Sequence, residues 1–336
     1  MNLRRLLIVL GLLGLALLLL SLFGSLHSVL AAFRTFHWYL LPLLVLIQLL
    51  SYYCNAKYYQ AFFRISGHPI ELRRLYEAAL AINFANQAIP SGGVAATTYL
   101  TQAAQPYGVP AGKATLAQLG RYIFTFLSYF LVLAFGFITL FFSNDLNKLS
   151  VRLVIVIMIA ILVAGSVLLA IFSERRRLEA TINPVVRGIN AIGRLFRSRR
   201  QPLLGPDRLD HFLTELYRGY NEIMSHKRRW PILLGWALGG NIAETLTIFT
   251  VFIGFGHLVN PGIVITGYTL AIATSAGGAG NGLGFYEAGM IGAFAALGVP
   301  FALSFDAVIT YRLLSFAIFL PPGVYYYRRH LKKEET

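Results

Sequence analysis

The chain has 336 residues, of which 57% are hydrophobic and only 13% charged, with a formal net charge of +15. Soluble domains carry about 25% charged residues, so this composition excludes an ordinary soluble domain and defines an integral membrane protein. A single cysteine, Cys54, excludes an internal disulfide framework and a Cys-based metal site, and seven histidines without paired spacing argue against a metal enzyme. The positive charge is read as attraction to anionic lipid rather than to nucleic acid, because the basic residues flank apolar runs.

Taken in order, residues 6–23 form an apolar run of transmembrane length behind Arg4 and Arg5, read as an uncleaved first span. A second span is predicted over 36–63, rich in tyrosine toward its end as an interfacial belt would be. A short polar-faced helix over 70–79 follows, then an apolar segment, 80–104, interrupted by Asn83, Asn86, Gln87, Pro90, Gly92 and Gly93. Pro90 removes a backbone donor, so this segment is read as a broken hairpin. Asn83, Asn86 and Gln87 are expected to satisfy backbone groups freed there. Spans three and four are predicted over 114–142 and 151–172.

Residues 173–229 are the long polar stretch, with thirteen Lys/Arg against six Asp/Glu. Apolar residues recur there at helical spacing, so two amphipathic helices on the membrane surface are expected. They serve as a solvated connector or as a contact with anionic lipid. Span five is predicted over 231–255, with Asn241 and Glu244 one turn apart on one face. Half-helices are expected at 262–274 and 285–297, separated by a run holding Gly277, Gly278, Gly280, Gly282 and Gly284. Each glycine costs roughly 0.5–1 kcal/mol in a helix interior relative to alanine. Irregular backbone at membrane depth is tolerated only inside protein or beside a water-filled cavity. The run is therefore read as a second broken hairpin, although Gly280 and Gly284 also have the spacing of close helix-packing points. Span six is predicted over 301–325, carrying Asp306 and Arg312 and closing at Pro321-Pro-Gly323, with a basic tail behind it.

With the N-terminus inside, the cytoplasmic side collects Arg4, Arg5, Arg64, Arg73, Arg74, Lys113, the 173–229 stretch and the tail. The outside keeps Arg34 and Lys148, with Arg152 at the edge. Both termini are thus expected to be cytoplasmic in a multi-pass cell-membrane protein. The two broken segments also match each other. Gly93 and Gly284 precede Arg121 and Arg312 by the same interval, and Gly108-Val-Pro110 and Gly298-Val-Pro300 lie between. The expected fold is an all-α polytopic membrane protein of about six spans plus two re-entrant hairpins. Its inverted repeats would cover 1–150 (hairpin 80–104) and 151–336 (hairpin 262–297), the arrangement of many transporters.

Gly282-Leu-Gly-Phe-Tyr-Glu287, Gly298-Val299 and Arg312 together resemble the C-terminal signature of the transmembrane region of lysylphosphatidylglycerol synthases, a family with stand-alone, flippase-like relatives. The N-terminal counterpart, Pro90-Ser-Gly-Gly-Val-Ala-Ala-Thr-Thr98, departs from the family's Pro-x-Gly-x-Gly-Glu by lacking the acid, while Arg121 is kept. The resemblance implies movement of a phospholipid or polyprenyl-phosphate-type lipid between leaflets. The family's soluble synthase domain does not follow the last span in this sequence, so aminoacyl transfer is not expected.

Charges inside a membrane are costly, so Arg121, Glu244, Glu287, Asp306 and Arg312 are expected to face the interior. Candidate substrate-binding residues are Arg312, Glu287, Arg121, Asn281, Gly282, Gly284, Glu244, Asn86, Gly92 and Gly93. The arginines would fork onto lipid phosphate, and half-helix N-termini would add partial positive charge. Glu287 would orient Arg312, contact a cationic head group, or simply lock the second hairpin to span six as an ion pair. Asp306 is read as a cap of span six, and Glu244 as a contact to the hairpin or to substrate. No cofactor is expected, because no phosphate-binding glycine loop or Gly-Lys-Ser/Thr triplet is present. The rival readings are a head-group transferase using Glu287 as general base, and a scaffold for a lipid-modifying partner.

The orientation is testable with single cysteines in a Cys54→Ala background. Arg34→Cys and Lys148→Cys should react with a membrane-impermeant maleimide on intact cells, whereas Arg64→Cys and Lys333→Cys should react only after permeabilisation. The reverse pattern would overturn the assignment.

Overall fold

The computed structural model describes residues 34–88, 93–142, 148–184, 206–275 and 285–333. The predicted first span over 6–23 lies outside them. So do the glycine break at 276–284, the turn at 89–92 and the 185–205 part of the basic stretch.

Every regular element among the described residues is helical. After a 3₁₀ turn at Trp38–Leu40 come α1 (Leu41–Ile65), α2 (Leu72–Ala88), α3 (Val94–Ala104), α4 (Ala111–Phe142) and α5 (Lys148–Ser173). Residues 175–184 are also helical. Beyond them lie α6 (Pro206–Ser225), α7 (Trp230–Gly254), α8 (Pro261–Ser275), α9 (Phe285–Ala296) and α10 (Phe301–Lys333). Among the described residues, four helices are long and apolar enough to cross a membrane: Trp38–Ile65, Ala111–Phe142, Lys227–Gly254 and Phe301–Tyr327. They correspond to predicted spans two, three, five and six. Span four is the helix α5, whose apolar centre, Val154–Val167, is shorter. The protein is an all-α polytopic membrane protein.

Local chemistry sets several helix starts. Pro42 and Pro231 occupy first-turn positions, where the missing N–H has no intrahelical partner to lose. The two Gly-Val-Pro turns behave alike. Gly108 and Gly298 both have positive φ, 72° and 94°. The carbonyls of Pro110 and Pro300 accept the first bonds of α4 and α10, from the amides of Ala114 and Ser304.

The expected stop at Pro321-Pro-Gly323 is overridden, and α10 runs through both prolines to Lys333. Packing supplies the reason. Gly323 lies so close to α2 that an added Cβ would sit 2.7 Å from Cβ of Phe84 and 3.1 Å from the carbonyl oxygen of Leu80. The contact with α2 carries α10 past a sequence that would otherwise end it. Likewise, the predicted helix 70–79 and the start of the apolar segment 80–104 merge into one helix, α2.

The helices interlock across the two halves of the chain. The long helices α1 and α7 pack on each other, as do α2 with α3 and α8 with α9. The first arm of each hairpin also leans on a long helix of the opposite half: α2 on α10, and α8 on α4. One core surrounds Tyr58, Tyr59, Phe62 and Phe63 of α1, and another surrounds Val251, Phe252, Phe294 and Val308. Outward faces of α1, α4 and α5 remain apolar and exposed, among them Leu46, Phe135, Ile138, Val156 and Ile159, as a lipid-facing surface requires.

The ends of the bundle differ. At one, Lys113 Nζ donates to the carbonyl of Ser66 (3.2 Å) and pairs with Glu222 of α6 (2.9 Å). There the amide of Gly112, in the first turn of α4, donates to Oε2 of Glu215 (3.3 Å), so an acid from another helix satisfies an amide that has no intrahelical partner. The apolar face of α6, including Leu213, Leu216 and Ile223, is buried in the α1 core. At the other end, the His37 amide donates to the Gly254 carbonyl (2.8 Å), and Phe36 meets Phe255 edge-on.

The crossing of α8 with α4 is close, backbone against backbone. A Cβ on Gly262 would stand 2.3 Å from the Gly136 carbonyl oxygen and 2.6 Å from Cγ of Leu140. Backbone cannot retreat as a side chain can. Gly262→Ala should destabilise the solubilised protein by about 1–3 kcal/mol, read as a lowered melting temperature. Gly292→Ala, which meets nothing within 4 Å, should not lower it.

Candidate functional site

Two polar sites lie inside the helical frame, one beside each hairpin. The second hairpin's site begins at Glu287, in the first turn of α9, where the helix's partial positive end favours a carboxylate. Nε of Arg312, from α10, donates to Oε1 of Glu287 at 2.5 Å, and both side chains are 9% exposed. The guanidinium carbon lies 4.8 Å from the Tyr286 ring centroid and 4.9 Å from that of Phe316, so the cation sits among aromatic faces. The expected ion pair joining hairpin to span six is therefore present.

From this pair a line of polar side chains runs through the bundle, beginning where the Arg312 guanidinium faces the Tyr286 ring. Tyr286 lies next to Tyr311, and the Tyr311 hydroxyl donates to Oε2 of Glu244 (3.1 Å). Glu244, on α7, also accepts from Ser51 Oγ (2.8 Å) and Gln48 Nε2 (3.2 Å) of α1. Gln48 in turn accepts from the Tyr52 hydroxyl (3.1 Å), and Asn83 of α2 stands beside Tyr52. The carboxylate thus rests on three neutral donors, two from α1 and one from α10. Asn241, expected to share its face with Glu244, turns instead to α4. Its Nδ2 donates to the Thr125 carbonyl (3.2 Å) and meets Ser128 Oγ.

The first hairpin's site centres on Arg121 of α4. Nη1 donates to Oδ1 of Asn55 (3.1 Å), and the guanidinium carbon is 6.0 Å from the Tyr59 ring centroid and 5.4 Å from that of Tyr122. Nε of Arg121 and Oδ1 of Asn86 are both buried without a hydrogen-bond partner. Arg121 and Asn86 line a small recess, partly open to its surroundings, with Asn55, Tyr59, Ala79, Ile82 and Asn83. Gly93 caps α3 with φ +89°, and an added Cβ would strike the Tyr122 hydroxyl at 2.8 Å. Two constraints thus demand glycine there. Asn86 lines the pocket rather than capping freed backbone, with its Oδ1 unpartnered.

Among the sequence candidates, the structure brings Arg312 and Glu287 into contact and carries the seam on to Glu244. It sets Arg121 and Asn86 in one pocket, with Gly93 against the neighbouring Tyr122. Asn281, Gly282, Gly284 and Gly92 lie outside the described residues. Sequence reasoning missed Gln48, Ser51, Tyr52, Asn55 and Tyr311. The α1 members follow one another at helical spacing, and that polar stripe in an apolar span was the available signal.

These features define a polytopic helical membrane protein whose interior carries charge and hydrogen-bonding groups from one hairpin toward the other. Over residues 5–323 the chain matches the lysylphosphatidylglycerol synthase TM region. It belongs to that family, which sets it among membrane proteins of lipid-related function. No curated protein compared with the chain matches it.

Breaking a buried pair from one side costs about 3–5 kcal/mol, because the remaining charge is stranded. Arg312→Gln alone should therefore lower the thermal stability of the solubilised protein more than Arg312→Gln combined with Glu287→Gln. Additive losses in this double-mutant cycle would rule out coupling.

Proposed function

We propose that this protein is a flippase- or scramblase-like transporter that moves an anionic or zwitterionic phospholipid, or a polyprenyl-phosphate-type lipid, between leaflets of the cell membrane. The observation that carries the reading is the seam from Arg312 and Glu287 through Tyr311 and Glu244 to Gln48 and Asn83. A lipid head group crosses a bilayer only where protein replaces its water, and such a seam offers donors and acceptors inside apolar helices. The apolar exposed faces would let acyl chains remain in lipid meanwhile.

In this reading Arg312, Glu287, Glu244, Arg121 and Asn86 handle the head group. Gly93 and Gly92 shape the first hairpin, and Asn281, Gly282 and Gly284 shape the second. Two inverted repeats, 1–150 and 151–336, with re-entrant hairpins, would supply alternating access. The exchange of arms, α2 on α10 and α8 on α4, supports that arrangement, as do the matching Gly-Val-Pro turns. The clustering of Lys113, Ser66 and α6 at one end of the bundle supports cytoplasmic termini. The basic faces of 173–229 would meet anionic lipid there. A transferase using Glu287 as a base is less favoured, because that carboxylate is already held by Arg312.

Reconstitution into liposomes with fluorescent phospholipids tests the proposal. The protein should accelerate leaflet exchange, and the Glu287→Gln/Arg312→Gln double variant should slow it by about tenfold or more while staying folded. Exchange no faster than in protein-free liposomes would overturn it.

A further inference from the structure

We propose that the pocket at Arg121 is a binding site for a phosphate-type oxyanion, separate from the Arg312–Glu287 pair. The inference deepens the transport reading and rests on it only for the lipid that would carry the anion.

The two interior arginines differ in their charge balance. Arg312 has Glu287 at 2.5 Å. Arg121 donates to the neutral amide oxygen of Asn55, and no carboxylate pairs with it among the described residues. The offset between the arginines is 312 − 121 = 191 residues, and the same offset from Glu287 falls on Ala96, a fully buried alanine. Where the second site has its carboxylate, the first has a methyl group. The remaining neighbours of the guanidinium, Tyr59 and Tyr122, present ring faces. These attract a cation without neutralising it.

A guanidinium cannot shed its proton to escape this environment. Its buried Nε–H lacks an acceptor, and losing hydration without replacement is the costly case for a polar group. The pocket beside it supplies the amides of Asn55, Asn83 and Asn86. The Asn86 Oδ1 is the second unpartnered atom. Turned by 180°, that amide presents its N–H groups to the recess instead. One cation with an idle donor, ringed by amides and lacking a carboxylate, suits an oxyanion that accepts several hydrogen bonds. A phosphate ester of a lipid head group and free phosphate share that chemistry.

The test uses the full chain in detergent, with inorganic phosphate and dihexanoyl phosphatidylglycerol as separate calorimetric probes. At least one should bind saturably. Arg121→Gln should weaken that binding by about tenfold or more, as loss of a charged hydrogen bond does. Arg121→Lys should retain part of it, and Arg64→Gln, an equal loss of charge at an exposed position, should not alter it. Asn86→Leu leaves the Arg121–Asn55 bond intact and should also weaken binding, which keeps the proposal falsifiable if Arg121→Gln fails to fold.

If neither probe binds the wild type, or if folded Arg121→Gln and Asn86→Leu both bind normally, the site does not exist as proposed. Phosphate binding without lipid binding would support the anion site and count against a lipid occupant. Lipid binding lost in Arg121→Gln, with no leaflet exchange by the wild type, would support the site and overturn transport alone.

Discussion

The carboxylate of Glu244 fixes how the long helices meet. It lies in the middle of α7, in a helix apolar enough to span a membrane, and receives hydrogen bonds from Gln48 and Ser51 of α1 and from Tyr311 of α10. Apolar helix faces in lipid have little preference for one partner or rotation over another, because lipid tails are as apolar as leucine. A half-buried acid held by donors from two other helices removes that freedom. Rotating α1 or α10 away would leave it without donors in a medium that supplies none. The pair formed by α1 and α7, and the approach of α10 to it, thus acquire one register.

That register places the two hairpins' sites at the ends of one seam. Glu287 and Arg312 balance each other, so the second hairpin is anchored to α10 with its charge accounted for. Beside the first hairpin stands Arg121, among tyrosine rings and asparagine amides. Two sites built from matching intervals of sequence have thereby come to differ in charge, one holding a carboxylate where the other holds Ala96.

The membrane class, the helical spans and the Glu287–Arg312 contact were legible in the sequence for a physical reason. Long apolar runs have few alternatives in lipid, and an interior Arg near an interior Glu has few other partners. The helix ends were less so. Pro321 and Pro322 read as a stop, yet contact between Gly323 and α2 carries α10 onward, and that contact joins residues more than two hundred positions apart. The partners of Glu244 were hidden for the same reason, since Gln48 and Tyr311 are distant in the chain. The amphipathic pattern of α6 was visible, but a pattern does not name what covers it. Part of that apolar face is buried in protein, against the α1 core.

The exchanged arms also bear on how such a chain is made. Because α2 packs on α10, and α10 is the last long helix in the sequence, the first hairpin waits through most of synthesis for the surface it rests against. Meanwhile α4, complete early, holds open the groove around Gly136 that α8 will enter. Neither contact forms within one half alone, so the packing among the described helices closes only once α10 has been made. A ribosome that stalls before residue 261 would leave both surfaces uncovered in the bilayer, each a signal that membrane quality control could read.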